Sequence, residues 1–297
     1  MITETKDPNE RFVKMNQVKA SYHDFVCYLG VEQSNGIQVY WYEFINDKLT
    51  EKERDESFQN LSKVKNIHCP IILNIIDLWK TSLPQAFVVI TEAAQFPSLP
   101  EYMRMIDSRP SQKNLIKWFK NLATGVQALH HLNIWHGSLS LSKVFIKPGA
   151  GTVKLSLPLS TLSGRKTAPS SINLEVYNAP ERLRGIKALS NDIWSLGIIL
   201  IELFTGEEPY NEAETPEDLF NAIVQCKPPR SIDKVESPLA RDLINKCLTE
   251  QSSRINIDML LSHNVFKATD QTSEYSQQIP LDNIQKQKGS SDIEQLI

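Results

Sequence analysis

The sequence predicts an α+β fold in two lobes: a small, mostly antiparallel sheet with one main helix, then a mostly helical half. Three observations predict it. Up to about residue 92 the chain carries strand-like runs of β-branched and aromatic residues around a single helical stretch. A short proline-bearing connector, AAQFPSLP, follows. Beyond it apolar residues recur with a 3.6-residue rhythm, and residues 190–204 are almost wholly apolar, as a helix buried on most sides requires.

The elements follow in order. Residues 1–20 read as a flexible lead-in and 21–92 as the first lobe. Residues 24–44 suit strands, with Ser34-Asn35-Gly36 as a hairpin signal. Residues 47–66 read as a helix with Phe58, Leu61 and Val64 on one face, and Cys69-Pro70 stops it. Residues 71–78 and 87–91 are two further strands. The second lobe spans about 98–268. Leu115, Phe119, Leu122, Val126 and Leu129 mark a long helix there. A short β-like pair follows at Val144-Phe145-Ile146 and Thr152-Val153-Lys154-Leu155. Thr215-Pro216-Glu217-Asp218 is a helix start: a capping Thr, Pro at the first position, then acids. Residues 239–248 and 257–261 complete the helical half, and the polar stretch 269–297 is expected to be disordered.

The totals exclude several classes. With 297 residues, 41% hydrophobic and 23% charged, the chain can bury a sizeable core. A net charge of −3 gives no electrostatic footprint for nucleic acid. Cys27, Cys69, Cys226 and Cys247 are scattered, which suits buried thiols and neither a disulfide framework nor a zinc site. The polar N-terminus does not read as a signal peptide, and the apolar run 194–204 is too short to span a bilayer and contains Glu202. The expected compartment is the cytoplasm, with the nucleus as alternative, and no membrane insertion is expected.

Residues 136–145, HGSLSLSKVF, sit between the long helix and the short β pair, where a protein kinase places its H-R-D-L-x-x-x-N loop. Further markers stand in order. Tyr177-Asn178-Ala179-Pro180-Glu181 looks like the A-P-E that closes an activation segment, and Asn191-Asp192-Ile193-Trp194-Ser195-Leu196-Gly197 is similar to D-x-W-S-x-G. Arg254 stands where that family keeps the arginine paired with the A-P-E glutamate. The chain thus resembles the protein kinase superfamily over residues 25–266, and the resemblance implies a two-lobed protein-kinase-like fold. VYWYEFINDKLTEKER and DKVESPLARDLINKCL are similar to the with-no-lysine kinases and the nuclear receptor-binding proteins, which are pseudokinases.

Carried over residue by residue, the resemblance implies that the reaction machinery is replaced. The glycine-rich loop region, ASYHDFVC, has no glycine. Tyr42 stands at the strand lysine, Leu29 at the substitute lysine of the with-no-lysine branch, and Asn60 at the helix glutamate. Tyr40 replaces the alanine that faces adenine. Ser138 replaces the catalytic aspartate, Ser140 the nearby lysine, Lys143 the metal-binding asparagine and Leu157 the metal-binding aspartate of D-F-G. A hydroxyl without a partner is no base at neutral pH, and an ammonium has no lone pair for magnesium. The expectation is therefore no catalytic residue, no metal, and ATP and Mg binding absent or very weak. The structural positions survive: Glu181 and Arg254 as a buried ion pair, Asp192 anchoring the 136–138 loop, and His136 packed beneath it. His130, His131 and His136 lack accompanying ligands at metal spacing. The segment 158–178 carries six Ser/Thr beside Arg165 and Lys166, a candidate phosphorylation site for another kinase. The implied role is a catalytically inactive scaffold, adaptor or allosteric regulator with protein partners, an active with-no-lysine-type kinase among them. The alternatives are a nucleotide-binding switch without transfer, and an atypical active kinase using acids such as Asp24 or Glu175.

Overall fold

The computed structural model describes residues 6–22, 25–45, 50–81, 86–106, 108–149, 151–158 and 175–268. The first lobe is a five-stranded antiparallel sheet, β1 (Phe12–Tyr22), β2 (Phe25–Glu32), β3 (Gln38–Ile45), β4 (Ile75–Lys80) and β5 (Ala86–Glu92), in the order β1-β2-β3-β5-β4. The expected flexible lead-in is corrected here, because β1 lies largely within residues 1–20. It pairs with β2 from Phe12↔Glu32 to Tyr22↔Phe25. Its register shifts twice, which hides the strand from a two-residue periodicity test. Even residue 7 is fixed: Asp7 is buried and its Oδ1 accepts the Phe12 N–H at 2.5 Å.

The hairpin at Ser34-Asn35-Gly36 forms as expected. Gly36 has φ +71°, and Asn35 Oδ1 accepts the Ile37 N–H at 2.9 Å. Strand alternation then divides the sheet. On β3, Tyr40, Tyr42 and Phe44 face inward, toward Leu61 and Val64 of helix α1 (Glu51–Lys65). Val39 and Trp41 join a separate outer cluster with Phe12, Tyr28, Val88 and Ile90. The helix starts at Glu51, four residues later than expected, and the Thr50 side chain caps it reciprocally with Glu53.

Residues 71–73 are not the start of a strand but a seam between the lobes. The Leu73 N–H donates to Leu155 O at 2.9 Å, and the Leu155 N–H to Ile71 O at 2.6 Å. The connector expected at residues 93–100 ends in a short helix, α2 (Leu99–Met105), started by Ser98, whose N–H and hydroxyl both donate to Glu101 Oε2 at 2.7 Å. Helix α3 (Gln112–His130), strands β6 (Val144–Lys147) and β7 (Thr152–Leu155), and short helix α4 (Pro180–Leu183) follow. Then come α5 (Leu189–Thr205), α6 (Pro216–Val224), α7 (Pro238–Cys247), α8 (Ile257–Leu261) and α9 (Val265–Ala268). The stretch 269–297 lies outside the described residues. Among the described residues no helix is long and apolar enough to cross a membrane.

Helix α5 is the axis of the second lobe. Ile193 to Ile201 is buried on every side, so the helix needs no polar face. It ends at Gly206 in the left-handed conformation, φ +69°, whose N–H caps Glu202 O. Helix α7 approaches it closely over Gly197, where an added Cβ would meet Cys247 Cβ at 2.7 Å and Leu248 Cδ2 at 2.9 Å. Gly197→Ala is expected to lose stability: overpacking costs about 1–3 kcal/mol, which exceeds the ~1 kcal/mol gained in helix propensity. A urea titration checks this, with a lower midpoint at an unchanged slope expected.

Candidate functional site

The space between the lobes is assembled from β2, β3 and β5 above and the 136–157 stretch below. Register places Tyr40 opposite Leu29 on β2 and Thr91 on β5, and Tyr42 opposite Cys27 and Val89. From below, β6 contributes Phe145, and the residues after β7 contribute Leu157. All of these inward residues are buried except Leu29, which is partly buried and packs against them. Tyr40, Tyr42, Phe25, Phe145 and Leu157 belong to one apolar cluster that also takes Leu61 and Val64 of α1. The Phe25 and Tyr42 rings meet edge to face with centroids 5.7 Å apart, and Tyr40 and Tyr42 lie at 6.2 Å.

Tyr42 and Cys27 are neutral at pH 7. Burial pushes the Tyr42 phenol well above its usual range, an effect that Cys27 and Tyr40 reinforce and a hydrogen bond with Thr91 offsets in part. Burial likewise raises the Cys27 thiol to about 12. Asn60 is not drawn to Tyr42: its Oδ1 accepts from Lys63 Nζ at 3.1 Å on the same helix. Beside the hinge a cleft of about 220 Å³ remains, lined by Ile37, Ile76, Ala93, Phe96, Phe145 and Lys154 among others. It is smaller than the roughly 300–1,000 Å³ of ordinary ligand pockets. Lys154 Nζ donates to Glu92 Oε1 at 2.5 Å along its edge.

Below, Asp192 organises the 136–143 loop. The carboxylate is 1% exposed and sits in the first turn of α5. Its Oδ2 accepts the His136 N–H at 2.7 Å and His130 Nε2–H at 2.8 Å, and its Oδ1 accepts the Gly137 N–H at 2.9 Å. Gly137 turns with φ +76°, which a side chain would resist. His136 is fully buried, and its Nε2 lies 3.1 Å from Ser156 O, so that nitrogen carries the proton. Nδ1 then accepts the Ser138 hydroxyl at 3.5 Å. Burial lowers His136 to about 4, outweighing the opposing pull of Asp192. A base that weak gives Ser138 little activation. Ser140 Oγ lies 2.8 Å from Ser142 Oγ, and Lys143 closes the short 3₁₀ turn that leads into β6.

The second expected brace is present. Arg254 Nη1 donates to Glu181 Oε1, and Nη2 donates to Glu181 Oε2 at 3.1 Å, a bidentate pair almost withdrawn from water. The guanidinium also donates to Thr249 O and Ser190 O and lies 5.2 Å from the Trp194 ring. These contacts tie the residues before α5 to those after α7. Just before Glu181, the Tyr177 hydroxyl donates to Glu202 Oε2 at 2.5 Å.

The residue-by-residue reading therefore located the loop, its anchor and the brace. It did not place Phe25, Phe145 or Thr91 in the space between the lobes, since their only signal was strand alternation, nor His130 as a donor to Asp192. Asp24 and the Ser/Thr positions from 160 to 171 lie outside the described residues. Among the described residues no three His, Cys, Asp or Glu side chains stand close enough to hold a metal ion.

A family model described as the protein kinase domain matches residues 26–266. Serine/threonine-protein kinase WNK4 of Homo sapiens is 27% identical over 268 residues, covering 88% of this chain and 21% of its own length. Serine/threonine-protein kinase WNK of Caenorhabditis elegans is 26% identical, covering 89% of this chain and 15% of its own. The chain thus spans about a fifth or less of these relatives. The autoinhibited serine kinase domain of the giant muscle protein titin has a TM-score of 0.71 at 17% identity, over 90% of this chain and 84% of that one. That likeness bears on the fold alone.

Two predictions follow from the buried charges. Arg254→Ala leaves Glu181 buried without its partner and is expected to cost on the order of 3–5 kcal/mol in chemical denaturation. The pH dependence has a definite sign. His136 takes up a proton near 6.5 when unfolded and near 4 when folded, so the unfolded state binds more protons between those values. Its contribution is complete above 6.5 and is lost as the pH falls toward 4, by roughly 3 kcal/mol. Glu202, raised by burial to about 7, acts in the opposite sense. Comparing the wild-type profile with that of His136→Asn isolates the histidine part, and a shallower loss on acidification is expected in the variant.

Proposed function

The chain belongs to the protein kinase domain family, and from that premise we propose that it is a pseudokinase, acting through protein partners as a scaffold or allosteric regulator rather than by phosphoryl transfer. The observation that carries this reading is the apolar cluster between the lobes. Phosphoryl transfer depends on positioned charges: a cation on the phosphates, metal ions, and a base for the acceptor hydroxyl. At those positions the chain has Tyr42, Leu157 and Ser138, and the first two are packed into one core with Tyr40 and Phe145. Neither the residues nor their surroundings suit a magnesium–triphosphate. Lys143 would repel the metal, and Leu157 offers it no lone pair. One positioned acid–base group is commonly worth ~10²–10⁴ in rate, so losing even the Ser138 position alone is severe.

The braces argue in the same direction. Glu181–Arg254 and the Asp192 anchor maintain the surface of the helical lobe, which is what a binding partner would read. A with-no-lysine-type kinase is the partner class that the sequence likeness favours, and a cytoplasmic location suits it.

Thermal-shift titration with ATP and magnesium tests the proposal. No saturable shift is expected, and no radiolabelled phosphate should reach a protein substrate. A saturable, magnesium-dependent shift would favour the nucleotide-switch reading instead. Transfer abolished by mutating Glu175 would favour an atypical active kinase.

A further inference from the structure

Helix α3 carries three lysines and no carboxylate of its own. Lys113, Lys117 and Lys120 recur at the i, i+4, i+7 spacing that puts them on one face, while Leu115, Phe119 and Leu122 are buried. Like charges at that spacing oppose one another. Lys113 also adds a cation to the first turn, where the helix end is itself positive. Lys117 and Lys120 are exposed, and neither forms an ion pair among the described residues.

The same face continues through Thr124 to Gln127 and His131, and there an acid does meet it. Gln127 Nε2 donates to Asp258 Oδ1 at 2.6 Å, and His131 Nε2 lies 3.2 Å from the same oxygen. From Asp258 on α8 the chain runs back along α3 toward its start. On α9, Phe266 stacks on Phe119 with ring centroids 6.2 Å apart, and Lys120 Nζ lies 5.9 Å from the Phe266 ring. The path thus leads from the end of the helix to its middle. Lys267, also exposed, adds a further cation there, and the described chain stops at Ala268. The next stretch of the face in that direction is the row of lysines.

The residues that follow are acidic. DQTSEYSQQIPLDNI, residues 270–284, has Asp270, Glu274 and Asp282 and no basic residue. With few apolar side chains it gains little from a core of its own. An extended chain advances ~3.5 Å per residue, and the helix from Lys120 back to Lys113 is roughly 10 Å long. The steps from Asp270 to Glu274 therefore reach from one end of the lysine row to the other. We propose that residues 270–284 dock in cis along the first half of α3, with Asp270 and Glu274 against Lys120, Lys117 and Lys113. Each exposed pair is weak alone, but tethering supplies an effective concentration on the order of millimolar. This interaction surface goes beyond the pseudokinase reading and holds whether or not the chain transfers phosphate.

Zero-length carbodiimide cross-linking of the full chain, read by mass spectrometry, tests this, because it joins only amines and carboxylates in contact. Cross-links from Asp270 or Glu274 to Lys113, Lys117 or Lys120 are expected at low salt, in a yield independent of protein concentration. Sodium chloride at about 0.5 M, where the screening length is only ~4 Å, should abolish them. Hydrogen exchange supplies a second reading. The amides of 270–284 are expected to exchange roughly tenfold more slowly in the parent than in Lys117→Glu/Lys120→Glu, a surface variant that leaves the core intact. Adding Asp270→Lys/Glu274→Lys to that variant should restore the protection, since the pairs are rebuilt with their signs exchanged. Missing cross-links at low salt, protection unchanged by the charge reversal, or no recovery in the swapped variant would overturn the proposal. So would cross-links that form only between chains as the concentration rises, which would assign the basic face to a second copy.

Discussion

One buried carboxylate sets the geometry of the lower half of this molecule. Asp192 is enclosed at the start of α5, and a charge at that depth is tolerable only if donors converge on it. Three do: the His136 and Gly137 amides and the His130 ring. Meeting that need fixes the turn at Gly137 and seats His136 under the loop. His136 in turn holds Ser156 O, which sets the exit of β7 and delivers Leu157 to the space between the lobes. The chain from a single charge to the composition of the cleft is continuous.

The same electrostatic rule explains which groups were kept and which were replaced. Taking away one partner of a buried ion pair strands the other and is costly, whereas replacing a whole set by packed apolar groups is often neutral or stabilising. Glu181 and Arg254 persist together, as do Asp192 and its donors. Tyr42, Leu157 and Asn60 depart together from the charged pattern of the family. Tyr42 and Leu157 now share a core, and Asn60 bonds within its own helix.

Much of this was legible in the residues, for identifiable reasons. The long amphipathic helix, the buried α5 and the Thr215 cap carry strong local signals, and they formed within a few residues of expectation. Asp192, Glu181 and Arg254 were recognisable because their neighbours form motifs with fixed spacing. What could not be read was non-local. Strand β1 is irregular and gains its order only by pairing with β2, and residues 71–73 look like strand but serve as a seam to Leu155. Helix α2 had a signal, Ser98 followed by Glu101, that its proline obscured. The merger of Tyr40, Tyr42, Phe145 and Leu157 into one core brings together residues more than a hundred positions apart, which periodicity does not report.

The central claim is that the interlobe space is now an apolar interior, and restoring the cation tests it most directly. Equilibrium denaturation of Tyr42→Lys, with and without ATP and magnesium, is the measurement. A lysine placed at this position takes its charge into an apolar cluster with Leu157 and Phe145, so a loss on the order of 3 kcal/mol is predicted, not recovered by nucleotide. A variant as stable as the parent, or one that nucleotide restores, would contradict the account.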